Sequence, residues 1–206
     1  MQSLVKFLLA SPALVVVLAV LCAATVVVLV RGGAPRARPV LAFVALADLA
    51  VLPMSYVARA FPLEDLGAGF YWAFVVTGGL LMAAAATLAG RRLHRSRLGL
   101  VAVLALVLTV PLVDVMFGSH LSLSAAFGYS PTGNSRLYGI SNYAFGQVAA
   151  SSCLLAAFVA ARWPTRRGRI ASVGLLAAVL VVIGMPVWGS DVGGIIAFTP
   201  TVLVFA

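Results

Sequence analysis

The sequence predicts an all-α, polytopic transmembrane helix bundle with six full spans, a seventh segment that is truncated or re-entrant, and the amino terminus outside. Three observations support this prediction. Of the 206 residues, 63% are hydrophobic and 9% are charged, whereas a soluble domain normally carries about 25% charged residues. Apolar runs recur at the length of a bilayer span, roughly 20 residues. Arginines lie just outside these runs. Because the apolar runs recur throughout the chain and leave no room for a soluble domain, residues 1–206 are predicted to form a single transmembrane domain.

The apolar runs are joined by short polar connections. The first run is too long, and begins too late in the chain, for a signal peptide. The second contains Pro53, which a membrane helix tolerates when its neighbours satisfy the freed carbonyl. The third opens with aromatic residues typical of a membrane interface. The predicted spans are Phe7 to Val30, Pro39 to Pro62, Phe70 to Gly90, Leu98 to Leu121, Tyr143 to Trp163 and Ile170 to Trp188.

The last apolar segment begins at Asp191 and reaches Ala206. At 1.5 Å per residue it would extend about 24 Å, which is less than a hydrocarbon core of about 30 Å. We therefore expect either a re-entrant segment or a fragment of a longer protein.

Eleven of the fourteen basic residues form three clusters beside apolar runs. Because arginine accumulates on cytoplasmic loops, the clusters place the amino terminus, the loops 63–69 and 128–142 and the turn 188–191 outside. The net charge of +9 is not accompanied by a continuous basic face, which argues against nucleic acid as a partner. The clusters are Arg31, Arg36 and Arg38; Arg91, Arg92, Arg95 and Arg97; and Arg162, Arg166, Arg167 and Arg169.

The longest polar interruption is Gly128 to Asn142, which reads GYSPTGNSRLYGISN. It holds more hydrogen-bonding groups than a plain connection between two helices needs, and Arg136 is its basic residue. A guanidinium can bind a phosphate or carboxylate through two parallel hydrogen bonds. The alternative is an ordinary contact between Arg136 and outer-leaflet headgroups. We interpret this loop as the working surface of the protein.

Asp114 and Asp191 are predicted at membrane depth, where inserting a carboxylate costs about 2.5 to 3.5 kcal/mol. Together with His120, Arg136 and Asn142 they form a candidate ligand-binding site. An imidazole can carry a proton near neutral pH, although a solvated interfacial histidine is the plainer interpretation of His120. Asp191 can likewise simply cap the helix that begins after it.

A second candidate feature is a polar stripe on the second apolar run. Ser55 and Arg59 come seven and eleven residues after Asp48, and at about 100° per residue this spacing returns all three to one helical face. The stripe would lead from the outer surface toward mid-membrane. In the alternative, Arg59 reaches to the outer interface while Asp48 hydrogen-bonds a neighbouring helix.

Motifs for catalysis, metal binding and cofactor binding are missing from the sequence. It has no Walker phosphate loop, dinucleotide fingerprint, zinc-protease helix or paired-cysteine metal site. Cys22 and Cys153 both lie inside apolar runs, where a thiol behaves as a small hydrophobe. With five acidic residues and two histidines, a two-metal hydrolase centre is hard to build. We therefore expect no metal or cofactor and assign no catalytic residue.

Asp114, the stretch GSHLSLSAAFGYSPTGNSRLYGISNYAFG (Gly118 to Gly146) and WGSDVGG (Trp188 to Gly194) resemble the multi-span portion of a family of uncharacterised actinobacterial membrane proteins. In that family an alkaline-phosphatase-like domain outside the cell often precedes the membrane helices, and this chain lacks it. The resemblance implies that the protein belongs to the cell envelope and lies in the bacterial plasma membrane. It also implies that this chain is a fragment of a longer protein. An outward amino terminus is where such a domain would attach. No catalytic residue carries over.

The sequence is compatible with three hypotheses for function. The first is a membrane module that binds an anionic or glycosylated lipid headgroup in an outward-facing polar vestibule, with membrane lipids and an attached or partner envelope enzyme as its partners. The second is a proton-coupled transporter or carrier that uses Asp48, Asp114 and Asp191 as a relay, with proline breaks that fit discontinuous helices. The third is a non-catalytic scaffold without a ligand.

Overall fold

The computed structural model describes residues 27, 38–61, 63–93, 96–123, 125–128 and 139–206. Over these residues the protein is all-helical and contains no strand. Among the described helices, five are long and apolar enough to cross a membrane, and one further apolar helix is shorter. This is the make-up of a multi-pass membrane protein. The first predicted span, Phe7 to Val30, lies outside the described residues apart from Val27, which is helical.

Six α-helices, numbered in chain order, make up most of the described chain. Two short 3-10 helices, Ala58–Ala60 and Leu63–Leu66, connect the first to the second. The chain divides into two compact units, Met1–Val103 and Leu104–Ala206, and the boundary falls inside the third helix. The helices are α1 (Arg38–Val57), α2 (Ala68–Arg92), α3 (Ser96–Met116), α4 (Asn142–Arg162), α5 (Arg166–Gly184) and α6 (Val192–Phe205).

In the first unit, α1 packs against α2. Tyr71 of α2 is fully buried, and its hydroxyl donates a hydrogen bond to the carbonyl oxygen of Ser55 in α1 at 3.1 Å. Pro53 lies inside α1 without ending it, as the sequence predicts. A buried hydroxyl needs a partner where there is no water, so this bond fixes the two helices against each other at one height.

In the second unit, α4, α5 and α6 pack against one another. The hydroxyl of Ser172 in α5 donates to the carbonyl oxygen of Ala156 in α4 at 2.9 Å, and also to that of Gly168 at 3.0 Å. Val148 of α4 and Leu176 of α5 are both fully buried in this unit. The bond spans two helices and therefore sets their relative height within this unit.

Several helix ends differ from the predicted ends. α3 ends at Met116, five residues before the predicted end at Leu121, because a turn at Gly118 stops it. α5 begins at Arg166, four residues earlier than predicted, because the hydroxyl of Thr165 accepts a hydrogen bond from the N–H of Gly168 at 3.4 Å. Hydropathy reports the apolar length of a span, whereas caps decide where its helix stops. The last predicted segment is the 14-residue helix α6, which extends about 21 Å.

Candidate functional site

The carboxyl end of α3 closes in a tight turn. The N–H of Ser119 donates to the carbonyl oxygen of Asp114 at 2.7 Å, and the N–H of Gly118 donates to that of Val115 at 3.4 Å. This pair of bonds defines a Schellman motif. Gly118 has a φ of +98°, which a residue with a side chain rarely adopts. The turn ends the helix and directs the chain into the connection that contains the candidate site.

The carboxylate of Asp114 holds the backbone just after this turn. One oxygen accepts the N–H of Leu121 at 2.7 Å and the other accepts the N–H of Ser122 at 2.8 Å. The side chain is only 6% exposed. Hydrogen bonds to a charged acceptor are stronger than those between neutral groups, so they offset much of the cost of burying the carboxylate. The first role of Asp114 in this structure is to organise the loop.

Gly139, near the end of the α3–α4 connection, contacts both the start of that connection and the α5–α6 turn. Its N–H donates a long hydrogen bond of 3.5 Å to the hydroxyl oxygen of Ser119. Its φ is +119°, and a β-carbon placed on it would lie 2.5 Å from the carbonyl oxygen of Gly189. Ser119 belongs to the α3–α4 connection, and Gly189 belongs to the α5–α6 turn. We call the residues 117–123, 139–141 and 185–191 together the loop layer.

The α5–α6 turn folds back onto the end of α5. The N–H groups of Gly189 and Asp191 donate to the carbonyl oxygens of Val182 and Ile183 at 3.0 and 3.1 Å. The hydroxyl of Ser190 is also used, because it donates to the carbonyl oxygen of Pro186 at 2.6 Å. Backbone and side-chain bonds therefore hold this turn against α5.

Asp191 occupies the residue just before α6 and is 5% exposed. Its side chain makes no capping hydrogen bond to the helix, so the predicted alternative of a simple helix cap does not describe it. A β-carbon on Gly194 would lie 2.7 Å from a carboxylate oxygen of Asp191. The carboxylate thus lies against the first turn of α6, where the partial positive charge of a helix amino terminus favours an anion.

Of the four candidate-site residues that the structure describes, His120 and Asn142 are exposed. The imidazole of His120 lies over the turn, since its Nε2 would be 3.3 Å from a β-carbon on Gly118. Asn142 is the first residue of α4. Both side chains carry nitrogen donors that can reach solvent or a headgroup.

Ser141 fixes the start of α4 beside Asn142. Its hydroxyl oxygen accepts the N–H of Ala144 at 3.1 Å, as expected of a helix cap. The same hydroxyl donates to the carbonyl oxygen of Phe127. The exposed side chain of Asn142 therefore starts from a backbone that the two hydrogen bonds of Ser141 hold in place.

Four of the five predicted ligand-binding residues lie in the loop layer or directly beside it, namely Asp114, His120, Asn142 and Asp191. Arg136, the fifth, lies outside the described residues. The sequence reasoning missed Ser119 and Gly139, which join the connections. The sequence contained a signal for Gly139, because glycines inside a polar loop often mark a positive φ or a close backbone approach.

The three residues of the predicted polar stripe differ in burial and in the type of helix to which they belong. Ser55 is fully buried, and its hydroxyl donates to the carbonyl oxygen of Leu52 within its own helix at 2.7 Å. Asp48 and Arg59 are partly exposed, and Arg59 lies in the 3-10 helix rather than in α1. A 3-10 helix turns by about 120° per residue instead of about 100°. Over the two residues from Val57 to Arg59 this difference adds up to about 40° of rotation relative to the position that the spacing predicts.

Within the part of the chain that the structure describes, no group of three or more histidine, cysteine, aspartate and glutamate side chains could hold a metal ion. No family model, no curated protein and no solved structure matches this chain. The function of the protein must therefore be inferred from the geometry of the loop layer.

Proposed function

We propose that this chain is the membrane module of a cell-envelope protein and that its loop layer binds an anionic or glycosylated lipid headgroup. The observation that carries the proposal is the junction at Gly139, which joins the α3–α4 connection and the α5–α6 turn. A headgroup site needs several donors held by a rigid backbone. The junction supports such a site because it fixes the backbone of both connections.

The charges in and near the loop layer fit an anionic or hydroxyl-rich ligand. Arg136 belongs to the same connection and would supply the positive charge for a phosphate or carboxylate. The exposed imidazole of His120 and amide of Asn142 would add donors for phosphate or sugar oxygens. Asp114 already accepts two backbone N–H groups, so its charge is compensated inside the protein.

The proposed topology has six full spans, a short last segment and the amino terminus outside a bacterial plasma membrane. Two basic clusters flank short connections, with Arg91 and Arg97 around the α2–α3 connection and Arg162 and Arg166 around the α4–α5 connection. If the α4–α5 connection is cytoplasmic, the loop layer at the other ends of α4 and α5 faces outward. An extracytoplasmic phosphatase-like domain, which the family resemblance implies, would attach on that side and act on the bound lipid.

A proton-coupled carrier that uses Asp48, Asp114 and Asp191 is the alternative. A relay needs carboxylates that are free to take up and release protons along one path. Both oxygens of Asp114 accept backbone N–H groups, and protonation of the side chain would weaken the loop. Headgroup binding therefore accounts better for this residue. A non-catalytic scaffold is the second alternative, and it predicts no selective lipid.

Lipid co-purification tests the proposal. We expect Arg136→Ala to lower the amount of co-purified anionic or glycosylated lipid by about tenfold, the effect of losing one charged hydrogen bond. Asn142→Ala removes a neutral donor and should lower the amount by less. Arg166→Ala is the matched control, because it removes an arginine from the first turn of α5, at the opposite end of that helix from the loop layer. If lipid content and envelope composition are unchanged in the two site variants, headgroup binding is wrong. The carrier predicts instead that Asp48→Asn abolishes proton-dependent uptake in proteoliposomes without changing lipid content.

A further inference from the structure

A cavity of about 420 Å³ lies in the first unit, between α1, the second half of α2 and the start of α3. Its volume falls within the roughly 300–1,000 Å³ typical of small-molecule sites. The walls are mainly apolar and include Ala42, Leu46 and Leu49 from α1 and Leu100 from α3. Walls of this kind suit a hydrocarbon chain.

The polar lining of this cavity is concentrated in two arginines. Thr87 also lines it, but its hydroxyl hydrogen is used within α2, where it bonds to the carbonyl oxygen of Ala83 at 2.6 Å. Arg91 and Arg97 are exposed, and within the described residues neither guanidinium forms an ion pair. The lining thus combines apolar walls with two exposed arginines.

Helix packing places the two arginines at the same end of the cavity. α2 and α3 approach so closely that a β-carbon on Gly99 would clash with the carbonyl oxygen of Ala86, and both residues line the cavity. Arg91 comes five residues after Ala86, and Arg97 precedes Gly99 by two. Both arginines therefore lie on the side of this contact that faces the connection between the two helices.

We propose that this cavity binds a membrane phospholipid with an anionic headgroup. One acyl chain lies along the apolar wall of α1, and the phosphate binds the guanidinium groups of Arg91 and Arg97. Arginine forms charge-assisted bonds with phosphate, and basic sites between transmembrane helices are a known setting for anionic headgroups. A free phosphate would leave the apolar walls empty. The residues that line this cavity are all different from those of the loop layer.

The test is a titration of the detergent-purified full chain with fluorescent phosphatidylglycerol, with phosphatidylcholine and inorganic phosphate as competitors. We expect Arg91→Gln and Arg97→Gln each to weaken binding about tenfold. Ala42→Phe fills the cavity without changing the charge and should also weaken binding. Arg92→Gln is the matched control, because Arg92 is an exposed neighbour of Arg91 that does not line the cavity. Arg91→Lys keeps the charge but loses the planar fork, and it should weaken binding less than Arg91→Gln.

Thermal unfolding shows which variants remain folded, and only those variants are compared in the binding titration. Equal weakening by Arg92→Gln would show general attraction by positive charge and overturn the proposal. Unchanged binding in folded Arg91→Gln, Arg97→Gln or Ala42→Phe would do the same. Displacement by inorganic phosphate would identify a free anion as the ligand, and equal competition by phosphatidylcholine would show binding without headgroup selection. Either result would contradict an anionic phospholipid site.

Discussion

Gly139 lies so close to Gly189 that a β-carbon on Gly139 would be 2.5 Å from the carbonyl oxygen of Gly189. The same residue donates its N–H to Ser119 and has a φ of +119°. Glycine is required here by backbone conformation and by space together. The contact joins the end of the long polar loop to the α5–α6 turn, and it makes the loop layer a single structural element of the second unit.

Substitution at Gly139 should therefore destabilise the loop layer. We expect Gly139→Ala to lower the free energy of unfolding by roughly 1–3 kcal/mol, through strain at positive φ and the clash with Gly189. Gly146→Ala is the control, because a β-carbon there would have no neighbour within 4 Å and the residue lies inside α4. That change should raise stability by about 0.5–1 kcal/mol. Thermal unfolding in detergent measures both variants, and equal melting temperatures would contradict the close contact.

Loss of the Asp114 carboxylate should release the backbone at Leu121 and Ser122. We expect Asp114→Ala to cost at least about 1–3 kcal/mol, because buried N–H donors lose their acceptors. Limited proteolysis should then cut residues 117–123 faster than in the unmodified protein. Ser122→Ala keeps the backbone bonds to Asp114 and removes only the hydroxyl bond to the carbonyl oxygen of Ser119 at 3.1 Å. Equal cleavage rates in the two variants would show that the carboxylate does not hold this loop.

Two buried serines in the packed α4 and α5 helices should respond differently to alanine substitution. Ser172→Ala removes a hydrogen bond between α5 and α4, and we expect a loss of about 0.6 kcal/mol, with an upper value of about 1.7 kcal/mol. Ser151 is buried, and within the described residues its hydroxyl has no partner. Ser151→Ala should be neutral or stabilising, since it removes an unsatisfied polar group. A larger loss for Ser151→Ala, measured by thermal unfolding, would contradict this assignment.

Membrane sidedness gives a further prediction. In a variant without Cys22 and Cys153, a cysteine at position 120 should react with a membrane-impermeant maleimide in intact cells. A cysteine at position 92, in a basic cluster, should react only after permeabilisation. Both wild-type residues are exposed, so access to the reagent depends on the side of the membrane. The opposite labelling pattern would reverse the proposed topology.

Hydrophobic length predicts the described spans because every crossing must bury a similar apolar length in the bilayer. It does not predict their ends. α3 stops at the Gly118 turn, and α5 starts at the Thr165 cap, since both ends depend on local hydrogen bonds.

The candidate site was only partly predictable for a similar reason. Asp114 was a candidate because a carboxylate is costly at membrane depth. In the structure, however, the partners of its carboxylate are backbone N–H groups of the loop that follows it. A sequence shows which side chains can accept hydrogen bonds, but not which backbone donors the fold will place beside them. The contact between Gly139 and Gly189 likewise joins residues fifty positions apart in the sequence. Local sequence patterns do not predict contacts between residues so far apart.

Photocrosslinking in intact cells tests the central claim of headgroup binding at the loop layer most directly. A diazirine-bearing amino acid is placed at position 120, at Asn142, or at Leu81, which is an exposed apolar position of α2. Mass spectrometry then identifies the lipids attached to each position. The proposal predicts adducts enriched in one anionic or glycosylated class at positions 120 and 142, reduced by Arg136→Ala, and unselective adducts at position 81. The same lipid distribution at all three positions, unaffected by Arg136→Ala, would contradict it.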